Sequence, residues 1–394
     1  MTRILMTADA VGGVWQYATE LATALRPHGV ETTIAVLGPT NPLPSGERDR
    51  RGTRQGESTT CISEEGGPSP CGFAAVPLPC RERDIEIITT DLTLDWLCDG
   101  PEPVLAAGAS IAQLARDIDA DLVHLNSPAL AAGGAFDQPV VAVAHGCVGT
   151  WWRAARGAAP DPAYAWHGDL MKTGLTAADA AVAPSAAFAA QLQRTYDLSA
   201  APLVVHNGRT PLPRPADTPL SDAVFTAGRL WDEAKNTALL DRVAARLPLP
   251  LRAAGPISGP NGETVATEHL RLLGTLEETA LARELAGRPI YISTARFEPF
   301  GFSVLEAAQA GCPLVLSGID TFRELWTGAA LIVPEQDEAA YAEAVGRILS
   351  DPELRGHLSG AARLRAARYT PQAMAASMAA IYAGLLAEPQ RAAA

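Results

Sequence analysis

Two carboxylates, Glu298 and Glu306, enclose a stretch that contains a proline and Gly301. Proline and glycine disfavour a continuous helix here, so a loop is predicted, followed by an apolar helix from an N-cap at Ser303 to Gly311. Backbone N–H groups at a helix N-terminus bind phosphate, and carboxylates accept hydrogen bonds from hydroxyls. The spacing therefore favours a ligand that is part sugar and part phosphate.

The same stretch has a purely structural alternative. Ser303 and Glu306 have the spacing of a capping box, in which Glu306 would only accept a hydrogen bond from the Ser303 amide. Glu298 would then be a solvated loop charge. This stretch alone leaves both interpretations open, and residues elsewhere in the chain must decide.

A second loop carries two cations. Arg229 and Lys235 lie between a predicted strand and a predicted helix, with Asn236 as a candidate helix cap. Two fixed cations beside a helix N-terminus suit a diphosphate, although Lys235 alone would be an ordinary surface charge.

Small or polar residues also follow other predicted strands. Gly12 and Gly13 follow the first strand, where missing side chains would let the backbone approach a ligand. His145 follows a buried strand and could donate to a sugar hydroxyl or a phosphate. Gly274 and Leu276 end another strand, where backbone groups could contact the edge of a base.

Aromatic and basic residues follow His145 directly. Trp151, Trp152 and Arg153 could form a face for a sugar or another flat polar molecule, because aromatic faces stack on sugar rings. A partly buried tryptophan pair is the structural alternative.

The elements that position these residues form two α/β series. Strands and helices alternate in residues 1–200 and again in 201–370, which predicts two parallel, doubly wound sheets facing a deep cleft. Residues 39–83 are rich in Pro, Gly, Ser, Thr and Arg, and we interpret them as a mobile insertion.

Charge and composition exclude several classes. The 394-residue chain has a net charge of −13, which argues against a nucleic-acid partner. The six cysteines form no C-x-x-C pair, so no zinc site is predicted. Asp117 to Asp121 matches a D-x-D metal motif, but it precedes a strand, and we interpret it as a solvated turn. No signal peptide or membrane-spanning segment is predicted, and we expect a cytoplasmic protein.

The combined motifs resemble a known family. Gly228-Arg-Leu-Trp-Asp-Glu-Ala-Lys-Asn236, followed by Glu298-x7-Glu306, resembles the retaining GT-B glycosyltransferases of the group 1 family. Val11-Gly-Gly-Val-Trp15 and His206-Asn-Gly208 are similar as well, and the resemblance covers nearly all of the chain except 39–83. It implies a GT-B fold, in which residues 371–394 cross back to the first domain.

The resemblance also implies roles for the site residues. Arg229 and Lys235 would hold the donor diphosphate, Glu298 the donor sugar and Glu306 the ribose. The other implied contacts are Gly13 at the diphosphate, the backbone of Phe300, Gly301 and Phe302 at sugar and phosphate, Gly274 to Leu276 at the base, and His145 beside the transferred sugar and the acceptor.

The implied activity is transfer of a sugar from a UDP- or GDP-sugar to an acceptor hydroxyl, with retention and without a metal or other cofactor. The resemblance says little about the acceptor, for which we expect a saccharide or small natural product. A sugar-nucleotide epimerase or phosphorylase on the same scaffold remains an alternative, as does a non-catalytic sugar-nucleotide binding protein. The oligomeric state is not predicted.

Overall fold

The computed structural model describes residues 1–9, 13–38, 85–213, 218–259 and 262–387. Gly12 and the predicted insertion at 39–83 lie outside the described residues, so the structure does not test those two predictions.

Seven strands in the described residues form the first sheet. They are β1 (Thr2–Asp9), β2 (Val30–Leu37), β3 (Glu86–Thr89), β4 (Leu122–Leu125), β5 (Val140–Val143), β6 (Ala180–Ala183) and β7 (Leu203–Val204). Their order is β3-β2-β1-β4-β5-β6-β7, and each neighbouring pair is parallel. β4 and β5 are buried from end to end, as expected where helices cover both faces of a parallel sheet.

The second sheet has six strands in the described part of the chain. They are β8 (Val224–Ala227), β9 (Leu251–Ala254), β10 (Arg271–Gly274), β11 (Ile290–Ser293), β12 (Leu314–Ser317) and β13 (Leu331–Val333). Their order is β10-β9-β8-β11-β12-β13, again with parallel pairs.

Helices pack on the faces of these sheets. They are α1 (Gly13–Leu25), α2 (Pro101–Asp117), α3 (Val148–Arg156), α4 (Ala165–Ala177), α5 (Ala186–Tyr196), α6 (Thr237–Ala244), α7 (Glu278–Ala286), α8 (Phe302–Ala310), α9 (Asp320–Trp326), α10 (Glu338–Ser350), α11 (Pro352–Ala366) and α12 (Pro371–Ala387). Successive strand residues point to opposite faces, so Leu5 joins one hydrophobic core while Ile4 and Met6 join another. Each sheet is therefore the middle layer of an α/β/α sandwich.

The last helix, α12, follows the second series in sequence but packs on the first. Its Met374, Met378 and Tyr382 are buried in the same core as Tyr17 and Leu21 of α1. The predicted crossing back to the first domain is therefore confirmed.

No helix in the described ranges is both long and apolar enough to cross a lipid bilayer.

Candidate active site

The predicted cation and carboxylate residues lie where the second sheet reverses its strand order. β8 and β11 are direct neighbours, although β9 and β10 separate them in sequence. Loops leaving two such strands diverge, and ligands of open α/β sheets bind in the crevice between them. The segment from Gly228 to Lys235 follows β8, and the loop with Glu298 follows β11. The sheet topology thus brings the two predicted loops together.

Lys235 and Glu298 meet in this crevice. Lys235 Nζ donates a hydrogen bond to Glu298 Oε1, and both side chains are largely buried. Together with Ser293, Thr294 and Ser303 they line a pocket that is open to solvent. Its empty volume, including the adjoining solvent, is about 330 Å³. The predicted phosphate-binding and sugar-binding groups are therefore within one hydrogen bond of each other.

Arg229 is held at the mouth of the crevice by Asp232. Its Nη2 lies 3.0 Å from Asp232 Oδ2, and Trp151 Nε1 of the first domain donates to Asp232 Oδ1 over 2.8 Å. Burial alone would raise the pKa of Asp232, but Arg229, Lys235 and the indole outweigh it and hold that pKa below its usual range. Asp232 is thus an anion that fixes Arg229 and links the two domains.

The helix N-terminus predicted after Glu298 is present, but its cap differs. α8 begins at Phe302, and its N-cap is Gly301, with a left-handed φ of 93°. The prediction of Ser303 as N-cap is therefore wrong, and so is the capping-box alternative, because both need the helix to start later. Glycine takes this conformation without the strain that a Cβ would add. The backbone N–H groups in the first turn of α8 have no acceptor within the helix. They lie at the end of the crevice, next to Glu298.

Glu306 lies in α8 and pairs with a residue that sequence reasoning missed. Arg209 Nε donates to Glu306 Oε1 over 2.9 Å, and its Nη1 donates to Glu20 Oε1 over 3.0 Å. Burial raises the pKa of Glu306, although Arg209 acts in the opposite direction. Arg209 directly follows His206-Asn-Gly208, but its partners are 97 and 189 positions away, so no local pattern indicates its role.

The first domain forms the opposite wall. A Cβ added to Gly13 would lie 3.3 Å from Phe302 Cδ2, and one added to Gly146 would lie 3.7 Å from Phe297 Cε1. Gly13 and the residue after His145 therefore lie directly against the loop and helix of the second domain that carry the predicted donor-binding groups.

The predicted base-binding edge consists of bare backbone. Gly274 ends β10, and its carbonyl accepts a hydrogen bond from Gly255 N over 2.8 Å. A Cβ on Gly255 would lie 1.7 Å from Gly228 O, at a φ of 134°. Glycines thus stand at the ends of three neighbouring strands, and Gly255 packs too closely on Gly228 for a side chain. Leu276 is half-buried.

Part of the predicted aromatic face, the Trp151 indole, takes part in the contact between the domains. Trp151 and Trp152 pack edge to face in α3, with ring centroids 6.2 Å apart. The guanidinium of Arg156 lies 4.1 Å from the Trp152 centroid, whereas Arg153 is exposed on the same helix. Arg156, rather than the predicted Arg153, is the cation stacked on these rings. Trp152 also packs against Tyr164, at 5.6 Å.

The aspartates of the D-x-D match lie away from this crevice. They precede β4, and Asp119 is exposed while Asp121 Oδ2 accepts a hydrogen bond from Arg3 N over 2.7 Å. The solvated turn is confirmed. Among the residues that the structure describes, no group of three or more His, Cys, Asp or Glu side chains could hold a metal ion.

Two family models match this chain. The model described as glycosyltransferase family 4 covers residues 11–211, or 201 of the 394 residues, and the model described as glycosyl transferases group 1 covers residues 263–365. The family expected from the cation and carboxylate motifs is confirmed.

Individual proteins are similar over parts or all of the chain. The phosphatidyl-myo-inositol mannosyltransferase of Mycolicibacterium smegmatis is 29% identical over 188 residues, which are 42% of this chain and 48% of that protein. The chain thus spans about half the length of this relative. Sucrose-phosphate synthase from Thermosynechococcus elongatus superimposes with a TM-score of 0.71 at 20% identity, covering 99% of this chain and 100% of that one. HepE of Anabaena in complex with UDP-glucose superimposes with a TM-score of 0.67 at 15% identity. The match covers 98% of this chain and 100% of that one. The predicted GT-B fold is confirmed.

Proposed function

The chain belongs to glycosyltransferase family 4, and we propose that it transfers a sugar from a nucleotide diphosphate sugar to an acceptor hydroxyl. The observation that carries this proposal is the pairing of Lys235 with Glu298 in the crevice beside the N-terminus of α8. A cation, a carboxylate and a helix N-terminus in one crevice suit a ligand in which a sugar is bonded to a phosphate.

The charges of the site match those of the reaction. As the bond between the sugar C1 and the phosphate oxygen breaks, negative charge grows on the diphosphate. Arg229, Lys235 and the first amides of α8 provide fixed positive charge for it, and positive groups held in place before the reaction favour that state. These groups would supply the stabilisation that a metal ion supplies elsewhere, so we expect turnover without a metal.

Glu298 has a binding role in this proposal. Its carboxylate, held by Lys235, would accept hydrogen bonds from hydroxyls of the donor sugar, and Glu306 would bind the ribose with the oxygen that Arg209 does not occupy. We propose retention, with the acceptor hydroxyl attacking from the face that the diphosphate leaves and a phosphate oxygen taking its proton.

The donor and the acceptor are proposed at the level of chemical class. The likeness to a UDP-glucose complex supports a UDP-sugar, and the mannosyltransferase relative makes a GDP-sugar the next candidate. We place a saccharide or small natural product near Trp152, Arg156 and Tyr164, because their rings and guanidinium form a partly exposed polar and aromatic face. Cytoplasmic localisation stays a prediction.

A donor panel tests the proposal. The full chain is incubated with UDP-, GDP- and ADP-sugars, with and without candidate acceptors and with a chelator in parallel, and released nucleoside diphosphate is measured. We expect release that depends on the acceptor and survives chelation. Arg229→Ala and Lys235→Ala should weaken nucleoside diphosphate binding. Arg246→Ala, in the exposed turn after α6, serves as the control. Unchanged binding in the first two variants would refute the assignment.

A further inference from the structure

A chain of polar side chains extends behind His145 into the first domain. Asn126 Oδ1 lies 2.8 Å from His145 Nε2 and 3.2 Å from His124 Nε2. His124 Nδ1 in turn lies 2.6 Å from the hydroxyl of Tyr382, which belongs to α12. The crossing helix thus connects, through three hydrogen bonds, to a histidine at the cleft.

The orientation of the Asn126 amide is fixed by the neighbouring strand. Its Nδ2 donates to the backbone oxygen of Thr7 over 2.6 Å, and its backbone N donates to Thr7 Oγ1 over 2.9 Å. A backbone oxygen can only accept, so the Nδ2 end of the amide must face Thr7. Oδ1 therefore faces the two imidazoles, and each imidazole must donate to it from Nε2.

The hydrogen bond at the other end of this row of side chains, between Tyr382 and His124, is consistent with donation from His124 Nε2. Burial raises the pKa of the Tyr382 phenol far above its usual value, so its hydroxyl is protonated and donates to His124 Nδ1. Burial lowers the pKa of His124 to about 4 and that of His145 to about 3, where His124 adds to the effect. Both rings are neutral near pH 7, and each carries its single proton on Nε2.

We infer that Asn126 is a positioning residue, which holds His145 in the Nε2–H tautomer so that Nδ1 accepts a hydrogen bond from a substrate hydroxyl. This inference rests on the proposed function, because the hydroxyl belongs to its substrates. It also revises the sequence prediction for His145. A neutral ring with a lone pair at Nδ1 repels phosphate oxygens, so this side of the cleft is selective for a hydroxyl that donates.

Packing keeps the ring in place for this role. The ring of Tyr17 lies edge-on to His145 with centroids 4.3 Å apart, and the same core holds Tyr382. Among the described residues, the titratable groups shown in contact with the two imidazoles are Tyr17, His124 and Tyr382, and none of these three is an anion near pH 7. These groups therefore do not oppose the tautomer that Asn126 selects.

Nitrogen NMR tests the tautomer directly. The full chain is labelled with ¹⁵N-histidine, and long-range proton–nitrogen correlations distinguish the two neutral tautomers and the cation. A His145→Gln spectrum assigns the resonance among the seven histidines. We expect the Nε2–H form of His145 between about pH 6 and pH 8. An Nδ1–H form, or a ring that titrates in this range, would overturn the inference.

Two substitutions at Asn126 extend the test to function. Asn126→Leu removes the acceptor, so His145 should populate the Nδ1–H form, and kcat/KM should fall about five- to tenfold, the value of one neutral hydrogen bond. Asn126→Asp places a carboxylate beside the imidazoles and favours their protonation. A protonated ring has no lone pair to accept the substrate hydroxyl. The kcat/KM of Asn126→Asp relative to wild type should therefore rise with pH, as the ring loses its extra proton.

Ser127→Ala is the matched control, because it removes a hydrogen bond to Asp95 from the adjacent residue and leaves the Asn126 amide in place. It should retain the wild-type tautomer. A pH-independent ratio for Asn126→Asp would contradict the inference, and so would Asn126→Leu with the wild-type tautomer. If Asn126→Leu does not fold, the inference is still tested by the tautomer of His145 in the wild-type spectrum and by the pH dependence of the near-isosteric Asn126→Asp. The NMR measurement needs no turnover, so its result is separate from any failure of the donor panel.

Discussion

Arg209 and Glu306 form a buried ion pair, with Nε and Oε1 2.9 Å apart, and the same guanidinium reaches Glu20 in the first domain. Glu306 is therefore held from one side by a residue of the segment that connects the two sheets. Glu20 also accepts hydrogen bonds from the backbone N and the hydroxyl of Thr210, at 2.9 and 2.7 Å. The connection between the domains and the predicted ribose site thus share one charged cluster.

Arg209→Ala should destabilise the protein severely, because it leaves Glu306 and Glu20 buried without their cation. We expect a loss of about 3–5 kcal/mol in the free energy of unfolding, the usual result when one partner of a buried pair is removed. Urea unfolding followed by circular dichroism measures it. Glu278→Ala removes the exposed member of the cluster, 3.5 Å from Arg209, and should cost less than about 1 kcal/mol. Equal losses in both variants would contradict this account.

The roles of Lys235 and Glu298 can be distinguished by comparing nucleotide binding with turnover of the sugar nucleotide. Lys235→Met should weaken binding of UDP, or of the nucleoside diphosphate that the panel selects, by about tenfold or more, because a charged hydrogen bond contributes about 1.5–3 kcal/mol. Glu298→Gln should bind that nucleotide nearly as well as wild type but lower kcat/KM for the sugar nucleotide by a similar factor. Calorimetry and initial rates measure the two effects. A large loss of nucleotide affinity in Glu298→Gln would show that its carboxylate does not act on the sugar.

The sequence predicts the positions of Lys235 and Glu298 well for a physical reason. In a parallel sheet all carboxyl ends lie at one edge, so the loops that follow apolar strands lie along that edge. The position of α8 is predicted for a similar reason, since Gly301 and Gly311 limit it on both sides. Its first residue is not, because the left-handed φ of Gly301 depends on the fold and not on the capping preference of Ser303.

Residues with distant partners are beyond this kind of reasoning. Arg209 contacts Glu20 and Glu306, and His124 contacts Tyr382, 258 positions further along the chain. A single sequence shows no periodicity that links such pairs. Asn126 could have been noticed as a polar residue that directly follows a buried strand, but its orientation depends on Thr7 in the neighbouring strand.

Trp151→Phe should weaken the contact between the domains while keeping an aromatic ring. It removes the hydrogen bond from Nε1 to Asp232, which holds Arg229. We expect nucleotide affinity to fall about tenfold or more, because a hydrogen bond to a charged group contributes about 1.5–3 kcal/mol. Trp152→Phe is the matched substitution on the same helix. It should leave nucleotide affinity near wild type and raise the KM for the acceptor. Equal effects of both variants on nucleotide affinity would contradict the role of the Trp151 indole.

Glu324 should make the stability of the domain contact depend on pH. It lies in α9 and accepts hydrogen bonds from Ala186 N and Ala187 N at the start of α5, over 2.9 and 2.6 Å, and it lies 3.3 Å from His206 Nε2. Burial alone would raise the pKa of Glu324, but these partners outweigh it and lower that pKa below its usual value of 4.5. The folded state therefore favours the carboxylate.

The sign of the effect follows from this shift. A carboxyl whose pKa is lower in the folded state stabilises the protein above its unfolded pKa, and this contribution disappears as the pH falls through the folded value. Glu324→Gln should therefore lower the free energy of unfolding by about 1–2 kcal/mol at pH 7, the value of a charge in a partly buried site at a helix terminus. Urea unfolding between about pH 7 and pH 3.5 should show the difference from wild type shrinking below about pH 4.5. Glu343→Gln, exposed on α10, is the control and should show little difference at either pH. A difference for Glu324→Gln that stays constant or grows on acidification would rule out this carboxylate as the titrating group.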